Sequence, residues 1–319
     1  MNLIFLSSDP ISLPSLEELA NGKISGIRIT AVVTNPDRRS GRGKKIQRNV
    51  VAAKAEELGL PVLQTSKLTT DQCRSLPEFD AALVYAFGQI LPRSVLSLKP
   101  NRFLNIHASP LPRLRGPSPI ETAIAEGWMT TEISLMRMVL RMDAGDVAHR
   151  QTVEITRTDT GRSLREKIAH VSASLVHRIP EALSDEAHWE RQVDSNATWC
   201  RKISKQDASL DLSLPATVLA DRARAFSGWP GSTLQIHGEV VKVSGIEADT
   251  GNGYPGEVLQ TDEVLEIATG LGSIKISQIQ RPSRKMIPFP EFQRTHPLTK
   301  GTVLGFVLST PLVRHTQAL

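Results

Sequence analysis

Residues 103–117 read FLNIHASPLPRLRGP, a short apolar run that passes into a polar, proline-rich turn. The pattern predicts a strand over residues 103–106. Side chains two positions apart on a strand face the same side, so Asn105 and His107 are expected to converge on one point. In open α/β sheets, ligands bind beyond the carboxyl ends of the strands, which makes this strand end a candidate site.

Strand-like apolar runs and amphipathic segments alternate on both sides of this stretch, through about the first 180 residues. This alternation predicts an α/β fold with a doubly wound, Rossmann-like, mostly parallel sheet. Residues 163–166 (SLRE) have capping-box spacing and predict a last helix that reaches about Leu183. The other predicted strands are 3–6, 27–33, 81–86, 133–138 and 147–155.

The pattern changes after residue 183. Residues 184–205 are polar without sustained periodicity, which predicts a linker between an N-terminal domain (1–183) and a smaller C-terminal domain (206–319). A helix over 215–226, opened by Ser213, precedes short apolar runs separated by Gly, Asn and Asp turn signals. Short strands at this spacing predict a small β-barrel. The runs are 232–236, 239–243, 256–260, 263–268 and 273–279.

The composition excludes several protein classes. Of 319 residues, 40% are hydrophobic and 22% are charged, as in packed rather than disordered chains. The start, MNLIFLSSDP, lacks a basic lead, and nowhere do about 18 apolar residues run together, so we expect a soluble, cytoplasmic protein without a membrane partner. Cys73 and Cys200 lie too far apart in sequence to support a disulfide framework or a zinc knuckle.

The net charge of +5 is concentrated in two places. The basic loop, residues 35–45 (NPDRRSGRGKK), follows the second predicted strand, and a second basic region covers residues 278–319. A flexible basic arm suits a phosphate-rich partner such as RNA. A solvated charge run is the alternative that composition alone leaves open.

Neither G-x-G-x-x-G nor a P-loop motif is present, so the sheet has no nucleotide-binding signature. An amide beside an imidazole, as at Asn105 and His107, can stabilise an oxyanion and move protons near neutral pH. The alternative is that Asn105 satisfies the strand end and His107 is an ordinary polar residue.

Two further segments supply candidate site residues. Met142-Asp143-Ala144-Gly145-Asp146 follows a predicted strand, and a carboxylate there can orient the imidazole and favour its charged form, although both aspartates also suit an ordinary turn. Residues 84–92 (VYAFGQILP) end another strand, and their backbone can present donors and acceptors to a flat heteroaromatic ring. Strand termination alone explains the Gly and Pro of that segment.

Taken together, these segments resemble the methionyl-tRNA formyltransferase family over nearly the whole chain. The resemblance rests on NIHAS with LPR and RG in residues 105–116, on MDAGD at 142–146, and on the basic loop. In the second half, residues 202–205 (KISK), 224–226 with 229–231 (RAF and WPG), and Gln280 with residues 284–286 (RKM) support it. The C-terminal domain is then expected to resemble an OB fold.

The resemblance implies transfer of a formyl group from N10-formyltetrahydrofolate to the amine of methionyl initiator tRNA, for translation initiation. It implies Asn105, His107 and Asp143 as the catalytic residues and no metal, and we expect a monomer. The folate contacts it implies are Phe87, Gly88, Ile90, Leu91, Pro92, Ser109, Pro110, Leu111 and Pro112. The tRNA contacts it implies are Arg38, Arg39, Arg42, Lys44, Lys45, Lys202, Lys205, Arg284 and Lys285.

The sequence departs from the family pattern near the expected site. Ser7 and Ser8 stand where Gly-Thr is usual, Glu132 and Arg141 replace glycines, and Pro110 replaces an apolar residue that is usually leucine. Two alternative functions stay open. A folate-dependent sugar or nucleotide-sugar N-formyltransferase would share the catalytic residues without needing the basic loop, and a non-catalytic relative would bind RNA without turnover.

Overall fold

The computed structural model describes residues 1–40 and 45–315, an α/β half followed by a strand-rich half. The α/β half contains strands β1 (Asn2–Leu6), β2 (Arg28–Thr34), β3 (Arg38–Ser40), β4 (Lys45–Gln47), β5 (Val62–Gln64), β6 (Ala81–Val84), β7 (Phe103–His107), β8 (Thr130–Arg137) and β9 (Val147–Glu154). Its helices are α1 (Leu13–Ala20), α2 (Val50–Glu57), α3 (Thr70–Ser75), α4 (Arg93–Leu96), α5 (Pro119–Ala125), α6 (Gly161–Leu175) and α7 (Ile179–Ser184).

The main sheet has the strand order β5-β2-β1-β6-β7-β8-β9 in the described part of the chain. The five strands in the order β5-β2-β1-β6-β7 are parallel, whereas β8 pairs antiparallel with both β7 and β9, which confirms the predicted mostly parallel α/β sheet. The sequence did not predict β5, because its three residues are too few to show a pattern. The strand predicted over 81–86 ends at Val84, and Ala86 turns the chain with a left-handed φ of 49°.

The sheet is buried on both faces. Leu3 and Phe5 of β1 pack into one apolar core, and Ile4 and Leu6 pack into a second core on the other face. Because successive strand side chains alternate between faces, a strand covered on both sides must be apolar at nearly every position. The run Leu-Ile-Phe-Leu in β1 is the result of that constraint.

The prediction of one last helix was wrong in two respects: the helix starts earlier, and it is divided in two. The capping box lies one turn earlier, with Thr160 as the N-cap and Ser163 as its partner, so Ser163 belongs to the first turn. The helix stops at Leu175, and a 3-10 turn over Val176–Arg178 separates it from α7. Pro180 lies in the first turn of α7, where no helical partner is required for its missing N–H. In the middle of one helix running from α6 through α7, the same proline would remove a hydrogen bond and break the helix.

The second half contains β10 (Trp199–Cys200), α8 (Ala216–Ala225), β11 (Ser232–Ile236), β12 (Glu239–Asp249), β13 (Val258–Gln260), β14 (Leu265–Ala268), β15 (Ser273–Gln280), β16 (Ile287–Pro288), α9 (Phe289–Thr295) and β17 (Val313–Arg314). An antiparallel sheet has the order β11-β12-β15-β14-β13, with β16 on β15. The five apolar runs predicted as strands correspond to β11 through β15, which confirms a strand-rich C-terminal part. Ser213 does not cap α8, because its hydroxyl donates to Asp211 at 2.6 Å.

Residues 184–205, predicted to be a linker, pack closely against the α/β half. Cys200 and Ile203 belong to its main apolar core, and β10 pairs with β17 near the end of the chain. Leu312, next to β17, is buried in the same core. The two halves also meet where Arg224 of α8 donates to the Asp159 carbonyl at 2.7 Å. The predicted domain boundaries stay predictions.

No helix in residues 1–40 and 45–315 combines the length and the apolar character needed to cross a bilayer. Over the same residues, no three His, Cys, Asp or Glu side chains are grouped so that they could hold a metal ion.

Asp159 anchors the start of α6 at the boundary between the halves. Its carboxylate accepts hydrogen bonds from Lys167 at 2.6 Å, from Thr156 and from Ser163. Burial alone would raise the pKa of Asp159, but these donors outweigh it and hold the pKa well below its usual range. A carboxyl group whose folded pKa is depressed stabilises the fold above its unfolded pKa of about 3.9 and loses that contribution as the pH falls.

We therefore predict that Asp159→Asn lowers the free energy of unfolding by about 1–3 kcal/mol at pH 7. The difference from the wild type should begin to shrink below the unfolded pKa and be lost only as the pH falls through the depressed folded pKa, so urea denaturation is repeated in steps from pH ~4 down to ~2. Asp71→Asn is the matched control, since the Asp71 side chain is 92% exposed and should give almost no change. A loss for Asp159→Asn that stays the same from pH 7 down to the lowest of these pH values would contradict this account.

Candidate active site

A cleft of about 540 Å³ opens beside the end of β7. Its walls come from residues that follow β1 and β6, from the start of α5, and from the turn between β8 and β9. We call this turn the Asp143 turn, residues 138–146. The residues discussed below that line the cleft are Phe87, Gly88, Ile90, Leu91, Asn105, His107, Gly116 and Asp143.

Asn105 and His107 reach the cleft from the same strand. Asn105 lies between Val84 of β6 and Met136 of β8, so a parallel and an antiparallel neighbour hold its backbone. Its side-chain amide lines the cleft and hydrogen-bonds to no other residue within 1–40 and 45–315. That amide is therefore free to donate to a ligand.

The His107 ring is oriented by two contacts. Its Nε2 lies 3.0 Å from the Leu114 carbonyl oxygen, which can only accept, so Nε2 carries the hydrogen. Its Nδ1 then points to the Asp143 carboxylate, 3.8 Å from Oδ2. The ring is 7% exposed, so its orientation is set by the protein rather than by solvent.

Asp143 occupies a tightly held turn. It has a left-handed φ of 49°, and its Oδ2 accepts a hydrogen bond from the Gly116 N–H at 2.8 Å. Gly116 has a φ of 117°, and a Cβ there would lie 2.3 Å from the Cys200 carbonyl oxygen, so only glycine fits. The structure thus brings together Asn105, His107 and Asp143, which the sequence places on separate segments.

Several residues that hold this arrangement are not among the sequence predictions of site residues. Gln192 and Arg115 lie behind the Asp143 turn, and Gly116 contacts its carboxylate. Arg115-Gly116 is part of a sequence motif and could have been predicted as part of the site. Gln192 could not, because it lies in a segment that sequence patterns predict to be a linker. Cys200 is also nearby, and burial raises the pKa of its thiol to about 12, so it is not a thiolate nucleophile.

Four of the residues predicted to bind folate line the cleft, namely Phe87, Gly88, Ile90 and Leu91. Ile90 is 86% exposed at the rim, while Phe87 is buried. Gln89 braces this loop, because its Nε2 donates to the Asn35 side chain and to the Thr65 carbonyl, both at 2.7 Å. The loop therefore offers a braced apolar wall.

The other predicted folate contacts lie outside the cleft lining: Pro92, Ser109, Pro110, Leu111 and Pro112. Ser109 is buried, and its hydroxyl donates to the Arg113 carbonyl at 2.6 Å. The Leu111 carbonyl accepts hydrogen bonds from the Arg150 guanidinium. In this structure, Ser109 and Leu111 shape the loop that carries Leu114 and Gly116, and their contact with folate stays a prediction.

The departures from the family pattern have local explanations. The Ser7 hydroxyl donates to Ser12 at 2.6 Å, and the Ser8 hydroxyl accepts from the Asn35 N–H at 2.9 Å, so both are accommodated by hydrogen bonds. Arg141 forms an ion pair with Asp194 at 2.6 Å on the outside of the Asp143 turn. Glu132 pairs with Thr152 of β9 and does not line the cleft.

The basic residues lie on two different parts of the surface. Arg38 is exposed at the start of β3, which pairs with β4, and Arg39 and Lys45 belong to these two strands. Arg42 and Lys44 lie outside the described residues. The exposed residues predicted to contact tRNA in the second half are Lys202, Lys205, Arg284 and Lys285.

Comparison with known proteins identifies relatives of both halves. A family model described as formyl transferase matches residues 1–179, and one described as formyl transferase, C-terminal domain, matches residues 202–297. The methionyl-tRNA formyltransferase of Acidiphilium cryptum is 37% identical over 310 residues, covering 96% of this chain and 100% of the relative. That of Methylococcus capsulatus is 34% identical over 311 residues, with 96% and 100% covered.

Solved structures share the fold at lower identity. The N-formyltransferase from Helicobacter canadensis, in complex with folinic acid and dTDP-3-aminofucose, gives a TM-score of 0.63 at 16% identity, covering 88% of this chain and 99% of that chain. The methionyl-tRNA formyltransferase from Clostridium thermocellum gives 0.57 at 13% identity, covering 79% and 95%.

We predict that Gly145→Ala strongly disturbs the Asp143 turn. A Cβ at Gly145 would lie 2.0 Å from the Arg137 carbonyl oxygen, which is backbone and cannot swing aside. We expect a loss of about 1–3 kcal/mol or more in the free energy of unfolding, measured by urea denaturation. Gly305→Ala is the matched control, because among the described residues no heavy atom beyond Gly305 and its two chain neighbours lies within 4 Å of the added methyl group. Equal stability of the two variants would refute the close approach.

Proposed function

This chain belongs to the methionyl-tRNA formyltransferase family, and we propose that it transfers the formyl group of N10-formyltetrahydrofolate to the amine of methionyl initiator tRNA. The observation that carries the proposal is the meeting of Asn105, His107 and Asp143 at one cleft, with His107 Nδ1 3.8 Å from Asp143 Oδ2. The reaction product, formylmethionyl-tRNA, serves translation initiation.

The transfer requires a donor of hydrogen bonds to a transient oxyanion. As the acceptor amine forms a bond to the formyl carbon, the Asn105 amide, which has no hydrogen-bond partner among the described residues, would donate to the negative oxygen. His107 would become the second donor by turning its Nε2–H from the Leu114 carbonyl towards that oxygen. The bond from that carbon to the donor nitrogen then breaks, and one proton passes from the acceptor amine to the departing nitrogen. Asp143 would hold His107 in place through its position beside Nδ1.

The cleft suits a tetrahydrofolate-type formyl donor. Phe87, Ile90 and Leu91 offer an apolar wall, and the turn at Gly88, with φ of 75°, exposes backbone groups next to it. A flat heterocycle with polar edges needs this combination of apolar faces and fixed hydrogen-bonding groups. The donor supplies the formyl group, and the protein supplies its orientation beside His107.

The tRNA is proposed to lie along the basic surfaces of both halves. Lys202 and Lys205 are exposed between the halves, and Arg284 and Lys285 are exposed beyond β15. Phosphate contacts from such side chains position RNA without reading its bases. The basic loop, residues 35–45, is the second tRNA contact that we propose.

A sugar N-formyltransferase is the alternative that a specific observation favours, since the Helicobacter canadensis enzyme shares this fold. Purified protein should be tested with the same formyl donor and three acceptors: methionyl initiator tRNA, methionyl elongator tRNA and an amino-sugar nucleotide. Transfer to initiator tRNA alone supports the proposal. Transfer to the sugar alone would overturn it, and tRNA binding without any transfer would support a non-catalytic relative.

We predict that Asn105→Ala lowers kcat by about 100- to 1000-fold, because one oxyanion donor is lost. Its thermal unfolding should stay close to that of the wild type, since the amide bonds to no other described residue. Single-turnover formyl transfer at saturating donor and tRNA measures the loss. A variant that is as active as the wild type would remove Asn105 from the mechanism.

We also predict that Lys202→Ala and Lys205→Ala each weaken tRNA binding and reduce the slope of log K against log salt by about 1, as expected for one lost phosphate contact. Filter binding over a range of salt concentrations measures the slope. Lys23→Ala, which removes an exposed lysine of the α/β half, is the control and should leave it unchanged. Unchanged slopes for both variants would place the tRNA elsewhere.

A further inference from the structure

We propose that Gln192 is a positioning residue for the reaction, which holds the Asp143 turn in the geometry that places the carboxylate beside His107. The inference rests on the proposed function, because it assigns Gln192 a part in the same transfer. Gln192 lies outside every motif that the sequence analysis identified, and it is 6% exposed.

The Gln192 amide joins two carbonyl groups of the turn. Its Nε2 donates to the Asp143 carbonyl oxygen at 2.9 Å and to the Gly145 carbonyl oxygen at 2.6 Å. Both hydrogens of the amide group are therefore used on the residue that carries the carboxylate and on the glycine that closes the turn. The contact is to the backbone, so it sets where the Asp143 Cα lies.

Arg115 fixes the direction of this amide. Gln192 Oε1 accepts from Arg115 Nε at 3.0 Å and from Nη2 at 2.7 Å. A guanidinium has only donors, so the oxygen of the amide must face Arg115 and its nitrogen must face the turn. The third nitrogen, Nη1, donates to Asp194 at 3.0 Å, and Asp194 also binds Arg141 of the turn.

Gly116, the residue after Arg115, holds the Asp143 carboxylate by a hydrogen bond. Gly116 N–H donates to Oδ2, so residues 115 and 116 constrain both the backbone and the side chain of Asp143. Asp143 has a left-handed φ, a conformation that non-glycine residues adopt uncommonly although aspartate tolerates it better than most, so the surrounding hydrogen bonds help to keep it. Without the Gln192 donors, two carbonyls lose their partners and the turn is free to relax away from His107.

A small displacement should have a large kinetic effect. A misplacement of about 1 Å in a catalytic group costs on the order of 100-fold in rate. We therefore expect Gln192→Leu, which keeps the approximate side-chain volume and removes all four hydrogen bonds, to lower kcat by about 10- to 100-fold. The affinity for tRNA, measured by filter binding, should change less than about twofold, because the exposed lysines are untouched.

A second variant distinguishes two roles of Gln192: positioning the Asp143 turn, and accepting hydrogen bonds from the buried Arg115. Gln192→Glu keeps an acceptor for the guanidinium but cannot donate to the Asp143 and Gly145 carbonyls at neutral pH. If the donors position the turn, Gln192→Glu should lose kcat about as severely as Gln192→Leu. If Gln192 only satisfies a buried arginine, Gln192→Glu should be as active as the wild type, and the proposal fails.

The deciding test is a double-mutant cycle with Asp143→Asn. If Gln192 acts through the Asp143 carboxylate, adding Gln192→Leu to Asp143→Asn should lower kcat less than about threefold further. If Gln192→Leu instead lowers kcat in the Asp143→Asn background by the same factor as in the wild type, Gln192 acts independently of the carboxylate and the proposal is overturned. If Gln192→Leu fails to fold, the same cycle is run with Gln192→Glu, whose charge pairs with Arg115.

The matched control is Gln151→Leu. Gln151 is a glutamine on β9 of the α/β half, and its side chain accepts one hydrogen bond from Ser174, at 3.2 Å. It should retain wild-type kcat. Wild-type protein that transfers no formyl group to tRNA would refute the proposed function, whereas active wild type with an unaffected Gln192→Leu would refute only the role of Gln192.

Discussion

Arg115 carries a positive charge inside the protein, with no part of it exposed. A buried cation is tolerated only when charges and hydrogen bonds surround it. Gln192 and Asp194 accept from its guanidinium, and its backbone bonds to Thr198 and Cys200. The loop after β7 therefore requires the segment 190–200 as its partner, and the position of Gly116, and through it that of Asp143, depends on this interaction.

The same segment connects the two halves of the chain. Its last two residues form β10, which pairs with β17, and the next residue, Arg201, donates to the carbonyl oxygens of Thr310 and Pro311. Residues near the end of the chain thus support the surface on which Gly116 rests. Under the proposed function, a tRNA that contacts Lys202 would touch the chain two residues after the segment 190–200, which contains Gln192.

Residues that depart from the family pattern are compensated by neighbours that are distant in sequence. The Ser8 hydroxyl is used by the backbone of Asn35, after β2, and Arg141 is neutralised by Asp194. Arg141 and Arg115 together hold the pKa of Asp194 below its usual range, with Arg141 contributing most. A glycine position can thus accept a charged side chain when an opposite charge lies beside it.

Local sequence patterns were enough to predict the α/β alternation of the first half and the short strands β11 to β15 of the second, since a strand buried on both faces must be apolar and short antiparallel strands must be separated by turn residues. The sequence also identified Asn105, His107 and Asp143 as candidates, because strand periodicity and the motifs are local. It could not give the end of α6, where Pro180 and a 3-10 turn intervene, or β5, which is too short for a pattern. The folded chain was needed to show that Asp143 lies beside His107 and that Gln192 hydrogen-bonds to the backbone of the Asp143 turn. Those contacts join residues 36 and 49 positions apart, and no periodicity extends over such a distance.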